Sequence, residues 1–178
     1  MKVKDMTLVA VMAAVISICS WISVPATVPF TMQTFGVFLA LLILGGKRGT
    51  AAIGLYLLLG IVGVPVFSGF QGGISHVIGP TGGYIIGFIF MGLVYILGES
   101  HVGSTAKKGS KGKVLLLVGG LLICYLIGTL WFMAVGTSGK GFFATIAMCV
   151  LPFVIPDLLK LLLAWRISVR VGKHIGKV

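Results

Sequence analysis

Residues 6–46 read MTLVAVMAAVISICSWISVPATVPFTMQTFGVFLALLILGG, and none of them carries a charge. A helix needs about 20 apolar residues to cross a bilayer, so this run is long enough for two spans. Pro25 and Pro29 divide it, because proline removes a backbone hydrogen bond from a helix interior. The stretch therefore predicts one membrane span near 6–24 and a shorter one near 34–46.

The rest of the chain repeats this pattern of uncharged runs between polar or glycine-rich segments. Lys47 and Arg48 end the first run, and the segment VPVFSGFQGGISHVIGPTGG interrupts the second at 64–83. Pro156 favours a helix start, since proline fits the first helical turn. The predicted elements that follow are spans near 49–63, 82–98, 114–135 and 156–172, with a short re-entrant piece near 142–150.

The composition excludes a soluble globule. The chain is 58% hydrophobic and 10% charged, with a mean hydropathy of +1.16, whereas soluble domains carry about 25% charged residues. We therefore predict an all-α integral membrane protein, a single membrane domain over 1–178 that forms a bundle of six transmembrane helices.

The basic residues predict the orientation of this bundle. With six spans, one side of the membrane holds twelve of the 14 lysines and arginines, and the positive-inside rule makes that side the cytoplasm for both termini. The formal charge of +11 thus indicates topology and contact with the lipid bilayer rather than with nucleic acid. The residues on the inner side are Lys2, Lys4, Lys47, Arg48, Lys107, Lys108, Lys111, Lys113, Arg166, Arg170, Lys173 and Lys177.

Asp157 and Lys160 are the most informative polar residues, because they lie in the apolar stretch VIPDLLKLLLAW, residues 154–165. A charge at mid-membrane costs about 2.5–3.5 kcal/mol on the insertion scale. Residues three apart share a helix face, so the pair can neutralise itself or present an acceptor and a donor to a ligand. The start of this helix faces outward in the predicted topology, as do the irregular segments 25–33 and 64–81, which predicts an outward-facing pocket. The alternative is that these segments are ordinary loops that cap a bundle.

Further candidate ligand contacts lie in those segments. Gln33 offers amide donors and acceptors, although packing explains it equally well, and Thr31 is either a helix cap or a contact. Tyr84 can bury its ring while its hydroxyl reaches a polar partner, and Gly73 lies in the glycine-rich segment. We interpret His76 as a solvated loop residue.

Several kinds of site are missing from the sequence. GGKRGT at 45–50 lacks the spacing of a phosphate-binding loop, and GTSGK at 136–140 lacks that of a nucleophile elbow. No metal-ligand pattern is present, so no metal and no cofactor is predicted, and the chain is not expected to be an enzyme. Cys19, Cys124 and Cys149 are predicted to be inert core residues.

Four linked motifs resemble the BioY family, the biotin-binding S-components of energy-coupling factor (ECF) transporters. They are VPFTMQTFGVFLALLILGGKRG, LLLGIVGVPVFSGF, GPTGGYIIGF and DLLK, and the similarity spans about 6–165. The resemblance implies a high-affinity biotin-capture subunit in the plasma membrane of a prokaryote. Its implied partners are the transmembrane coupling protein EcfT and a pair of cytoplasmic ATPases, which would supply the energy that this chain cannot.

The resemblance also implies roles for particular residues. The family pattern D-x-x-K maps onto Asp157 and Lys160 as biotin contacts, and Gln33 and Tyr84 map onto further positions of the site. In S-components an A-x-x-x-A patch on the first helix docks on the coupling protein, and here the match is Ala10 and Ala14, which alone would indicate only helix packing.

Two other classes of function stay open at this point. An intramembrane ionisable pair also suits a stand-alone proton-coupled transporter, and a packed ion pair also suits a structural or assembly protein. The choice between biotin and close analogues such as dethiobiotin, the oligomeric state and a dedicated or shared ATPase module are likewise open.

Overall fold

The structure, a computed structural model of the chain, describes residues 2–25, 28–102, 108–136 and 141–175. It is almost wholly helical, apart from one short antiparallel pairing of β1 (Ser23–Val24) with β2 (Phe30–Thr31). A 3₁₀ turn covers Ser68–Phe70. The helices are α1 (Val3–Trp21), α2 (Gln33–Val62), α3 (Ile74–Ile78), α4 (Gly82–Val102), α5 (Lys108–Val135), α6 (Phe142–Cys149) and α7 (Leu151–Ile175).

The long helix α2 folds back on itself at Gly45, whose φ of 78° and ψ of 177° are not helical. The Gln33 amide donates to the Tyr56 hydroxyl at 2.8 Å, whereas 23 residues of straight helix would separate these positions by about 35 Å. A Cβ added at Gly49 would lie 2.9 Å from the Ala40 carbonyl oxygen. Thus α2 consists of two antiparallel arms, 33–44 and 46–62, which we call its first and second arm.

Small residues let the helices approach closely. A Cβ added at Gly87 of α4 would lie 2.7 Å from the Cys124 sulfur of α5, and one at Gly83 would lie 2.2 Å from Cβ of Trp131. Such spacing of small residues is typical of helix packing in membranes, where van der Waals contact replaces the hydrophobic effect. The core between the helices includes the fully buried side chains of Tyr56, Tyr95, Phe38 and Phe67.

The C-terminal pair α6 and α7 is bent by 43° at Val150. The Val150 carbonyl accepts hydrogen bonds from the backbone amides of Phe153 and Val154. Helix α7 therefore starts at Leu151, and Pro156 lies inside it. The sequence predicts a start near 156. An earlier start is possible because Pro156 lies in the second turn of α7, where the missing N–H of proline removes only one intrahelical hydrogen bond.

Within the described ranges, four helices (α1, α2, α4 and α5) are long and apolar enough to cross a membrane, or five if the bent pair α6 and α7 counts as one span. Many large apolar side chains are exposed on these helices, among them Leu58, Leu97, Leu115 and Leu122. A bilayer would cover such surface, which water would not favour. The prediction of an all-helical membrane protein is confirmed at this level.

Candidate ligand-binding site

A cavity of about 630 Å³, including its open mouth, lies between α2, α4, α5 and α7 at one end of the bundle. Both irregular segments singled out by the sequence contribute to it. Its lining residues are Val28, Pro29, Thr31, Gln33, Thr34, Ser68, His76, Thr81, Tyr84, Ile85, Phe88, Cys124, Tyr125, Cys149, Phe153, Asp157 and Lys160.

Asp157 and Lys160 form a buried ion pair in this cavity. They are on the second and third turns of α7, where i,i+3 spacing brings Lys160 Nζ to 2.8 Å from Asp157 Oδ1. Asp157 is 3% exposed and Lys160 is 6% exposed, so two charges have been removed from solvent together. Burial of an ion pair is tolerated only when further hydrogen bonds satisfy both groups.

Those further bonds come from two other helices. Thr34 on the first arm of α2 donates to Asp157 Oδ1 at 2.9 Å, and the Tyr125 hydroxyl on α5 donates to Oδ2 at 2.6 Å. A carboxylate has about four acceptor positions, and three are filled here. Asp157 Oδ2 therefore keeps the capacity to accept one more hydrogen bond from a ligand.

Lys160 is held by acceptors around its ammonium. It donates to the Thr31 carbonyl at 2.7 Å, to Thr34 Oγ1 at 3.3 Å and to Asp157 Oδ1 at 2.8 Å. It also lies 4.2 Å from the centre of the Phe30 ring, a cation–π distance. All three N–H donors are used, so a ligand oxygen would have to replace one of these acceptors.

Gln33 and Tyr84 occupy different surroundings. Gln33 lines the cavity but donates its amide to Tyr56, and its backbone N–H donates to Thr31 Oγ1 at 3.2 Å. The Tyr84 hydroxyl lies 3.4 Å from Thr129 Oγ1, and its ring packs against Gly128. Gln33 is thus both a packing partner and a cavity residue, and Tyr84 forms a second polar position in the cavity wall.

Gly73 is not among the lining residues. It precedes α3 with a φ of 95°, a left-handed conformation that favours glycine, and its N–H donates to the Gly60 carbonyl at 2.7 Å. Gly73 therefore stabilises the loop whose residues Ser68 and His76 line the cavity.

His76 lies closer to the cavity than the sequence suggests. Its ring stacks on the buried Phe67 ring with a centroid distance of 5.1 Å, and its Nδ1 lies 2.9 Å from Gln71 Oε1. Burial lowers the pKa of His76 below its ordinary value of 6.5. The interpretation of His76 as a solvated loop residue is therefore incomplete. Nothing in the sequence shows that the Phe67 ring stacks on the His76 ring.

Thr34 and Tyr125 are the two residues of the pair's hydrogen-bonding network that sequence reasoning did not select. Thr34 adjoins Gln33 in a segment already singled out. Tyr125 is the lone hydroxyl in the apolar run LLICYLIG of α5, a polar group at membrane depth of the kind that usually has a partner. That signal could have pointed to it, although not to Asp157 as the partner.

The described residues contain no group of three or more His, Cys, Asp or Glu side chains that could hold a metal ion. Cys19, Cys124 and Cys149 are buried and form no disulfide with one another. The cavity itself offers one open acceptor position on Asp157, several hydroxyls, and apolar walls that include Ile85, Phe88 and Phe153, a combination that suits small-molecule binding.

Comparison with known proteins gives a consistent result. The chain is 42% identical over 161 residues to the probable biotin transporter BioY of Pyrococcus horikoshii, covering 90% of this chain and 91% of the relative. It is 37% identical over 180 residues to the biotin transporter BioY of Thermotoga maritima, covering 92% of each.

The fold also matches a solved structure, the S-component for biotin from an ECF-type ABC transporter. The TM-score is 0.84 at 28% sequence identity, over 97% of this chain and 92% of the other. The profile of the BioY family matches residues 1–177, and the chain belongs to that family.

Proposed function

We propose that this protein is the biotin-capture subunit of an ECF-type importer. The observation that carries the proposal is the cavity built around Asp157 and Lys160, in a chain of the BioY family. Such a protein is a transporter subunit and not an enzyme, and biotin is its transported ligand rather than a cofactor.

The chemistry of biotin fits the cavity. Its ureido ring has two N–H donors and one carbonyl, and its tail ends in a carboxylate. Asp157 Oδ2 can accept from a ureido N–H, and Lys160 can exchange the Thr31 carbonyl for a ligand oxygen. Hydrogen bonds to charged groups contribute about 1.5–3 kcal/mol each.

The remaining candidates have supporting roles in this proposal. Thr31, Gln33 and Tyr84 complete the polar contacts of the ligand, and the apolar walls cover the thiophane ring and the tail. Gly73 sets the position of the loop that brings His76 to the cavity.

We further propose six membrane spans with both termini in the cytoplasm of a prokaryotic cell, in its plasma membrane. The fold-back of α2 supports this count, because each of its two arms then acts as a separate span. The six spans are α1, the first and second arms of α2, α4, α5 and α7. The positive-inside rule then makes the cavity open to the outside. A ligand would thus be captured before any partner acts.

The coupling protein EcfT and a pair of ATPases are the proposed partners. Ala10 and Ala14 are exposed on α1, and their neighbours Val11 and Ile18 are 51% and 53% exposed. This uncovered small-residue face supports docking of another helix. The sequence has no phosphate-binding loop, so partner subunits would supply the energy.

The alternative is a stand-alone proton-coupled transporter, which the buried ion pair favours. Biotin uptake is measured in vesicles that contain this chain alone, under a proton gradient. Gradient-driven accumulation would support the alternative, and binding without accumulation supports the capture subunit.

Binding of labelled biotin to the purified chain tests the main proposal. We expect a dissociation constant in the micromolar range or below, and a ligand at 100 times that constant should stabilise the fold by about 2.7 kcal/mol. Absence of both binding and stabilisation at micromolar biotin would reject the proposal.

A further inference from the structure

A second cleft lies at the opposite end of the bundle from the biotin cavity. It is formed by the turn between the arms of α2, the end of α4 and the start of α5, and it measures about 990 Å³ including its open mouth. Tyr84 and Glu99 are fifteen residues apart on α4, which is about 22 Å of helix. The cleft is therefore separate from the biotin cavity.

The cleft is positively charged. Lys47, Arg48 and Lys113 line it, against the single acid Glu99. Lys47 is exposed and makes no ion pair or hydrogen bond with any residue that the structure describes, and Lys113 Nζ is 3.8 Å from Glu99 Oε1, beyond hydrogen-bond reach. Arg48 is paired with Asp5 at 2.9 Å. The excess charge thus comes from the two lysines.

Glu99 has a structural task in this cleft. Its Oε2 accepts the Gly46 N–H at 2.7 Å, which satisfies the first amide of the second arm. The Gly46 amide is therefore covered, and the positive charges that an anion in the cleft would meet are those of the lysine side chains. Glu99 would repel that anion.

The walls of the cleft are apolar on the membrane side. Leu42, Ile43 and Ile96 line it. A free phosphate would use only the lysines. A molecule with an anionic head and acyl chains would use both the lysines and the apolar lining residues.

We propose that this cleft binds the phosphodiester headgroup of an anionic phospholipid, with the acyl chains against its apolar lining residues Leu42, Ile43 and Ile96. Basic pockets between helices at the cytoplasmic surface suit such headgroups, and each lysine near the surface contributes about a fivefold gain in affinity. The proposal relies on the proposed topology only for placing the cleft at the cytoplasmic leaflet.

The test is titration of the purified full-length chain in detergent with fluorescent phosphatidylglycerol and, separately, with phosphatidylcholine of the same acyl chains. We expect tighter binding of phosphatidylglycerol. Lys47→Gln should weaken it about fivefold and Lys47→Arg should not, whereas Glu99→Gln should tighten it, because it removes a negative charge and keeps an oxygen for Gly46.

Lys4→Gln is the matched control, because Lys4 is an exposed lysine on α1 outside the cleft. Equal binding of the two lipids, an unchanged affinity in Lys47→Gln, or an equal loss in Lys4→Gln would overturn the proposal. Full displacement of the lipid by equimolar inorganic phosphate would assign the cleft to a free anion instead. Biotin affinity is measured on the same samples and should not change, so a failure here is distinct from a failure of biotin capture.

Discussion

At the scale of single residues, the site depends on the hydrogen bonds that stabilise the buried charges of Asp157 and Lys160. Asp157 and Lys160 stand out in the sequence because charge is rare and costly in an apolar helix. Thr34 and Tyr125 stand out less because they carry no charge, although Tyr125 is the lone hydroxyl of its apolar run. Only the structure shows that both donate to the Asp157 carboxylate.

We predict that Asp157→Asn and Lys160→Ala each weaken biotin binding tenfold or more, measured by titration of the purified variants. Each single change leaves a buried charge without its partner and can also lower stability. The double variant Asp157→Asn with Lys160→Met removes both charges and should fold, yet it should still bind weakly. Wild-type affinity in the double variant would exclude the pair from the ligand contacts.

Tyr125→Phe should lower the free energy of unfolding by about 1.5–3 kcal/mol, because it removes a hydrogen bond to a charged group. Biotin affinity should fall as well, because the Asp157 carboxylate is then no longer held in position. Tyr95→Phe is the matched control, since the buried Tyr95 hydroxyl has no hydrogen-bond partner among the described residues. Equal affinities of the two variants, measured by the same titration, would show that Tyr125 does not position Asp157.

His76 predicts a pH dependence of stability. Burial lowers its pKa in the folded state below 6.5, so the unfolded chain binds the proton more tightly, and stability should fall as pH drops through about 6.5. The charged residues that line the same cavity, Asp157 and Lys160, form a neutral pair, which leaves desolvation as the cause.

The check for His76 is the thermal midpoint of the wild type and of His76→Phe at pH 7.5 and pH 5.5. The variant keeps an aromatic ring for stacking on Phe67 but cannot titrate, so its midpoint should fall less. An identical loss in both proteins would assign the pH dependence to other groups.

At the scale of elements, close contacts decide how the helices pack. Gly83 and Gly87 form a small-residue face on α4, and α5 packs against it. The sequence predicts two spans between 34 and 63, and the structure has a turn at Gly45 within that range. The position of the turn depends on the left-handed backbone of Gly45 and on the Glu99 carboxylate that holds Gly46.

We predict that Gly83→Ala destabilises the fold by about 1–3 kcal/mol, the usual range for overpacking. Its added Cβ would lie 2.2 Å from Cβ of Trp131. Gly119→Ala on α5 is the matched control, because nothing lies within 4 Å of its added Cβ and alanine favours a helix. Unfolding in detergent measures both, and a Gly83→Ala variant as stable as Gly119→Ala would contradict the packing.

At the scale of the whole molecule, the proposed biotin cavity and the basic cleft lie at opposite ends of one bundle. Their separation follows from α4, which runs from Tyr84 in the cavity to Glu99 in the cleft. Orientation in the membrane then assigns one site to each side.

The proposed orientation predicts labelling from opposite sides. Ser75→Cys, beside the cavity, should react with a membrane-impermeant maleimide on intact cells, whereas Ser100→Cys, at the cleft, should react only after the membrane is opened. Both serines are exposed, and the three native cysteines are buried. The reverse pattern would mean that the cavity opens to the cytoplasm.

The sequence by itself determined the class of the protein and its family. Apolar runs of membrane length, an asymmetric set of lysines and four linked motifs are local properties, and local properties can be read along a chain. The family prediction is confirmed by the profile match over residues 1–177, and the all-helical fold by the structure.

Only the tertiary structure decided which groups complete the network around the ion pair. Tyr125 meets Asp157 across 32 residues, and Thr31 meets Lys160 across 129. Such contacts depend on how α2, α5 and α7 pack, and packing is set by the sum of many weak contacts over the whole bundle rather than by any one segment.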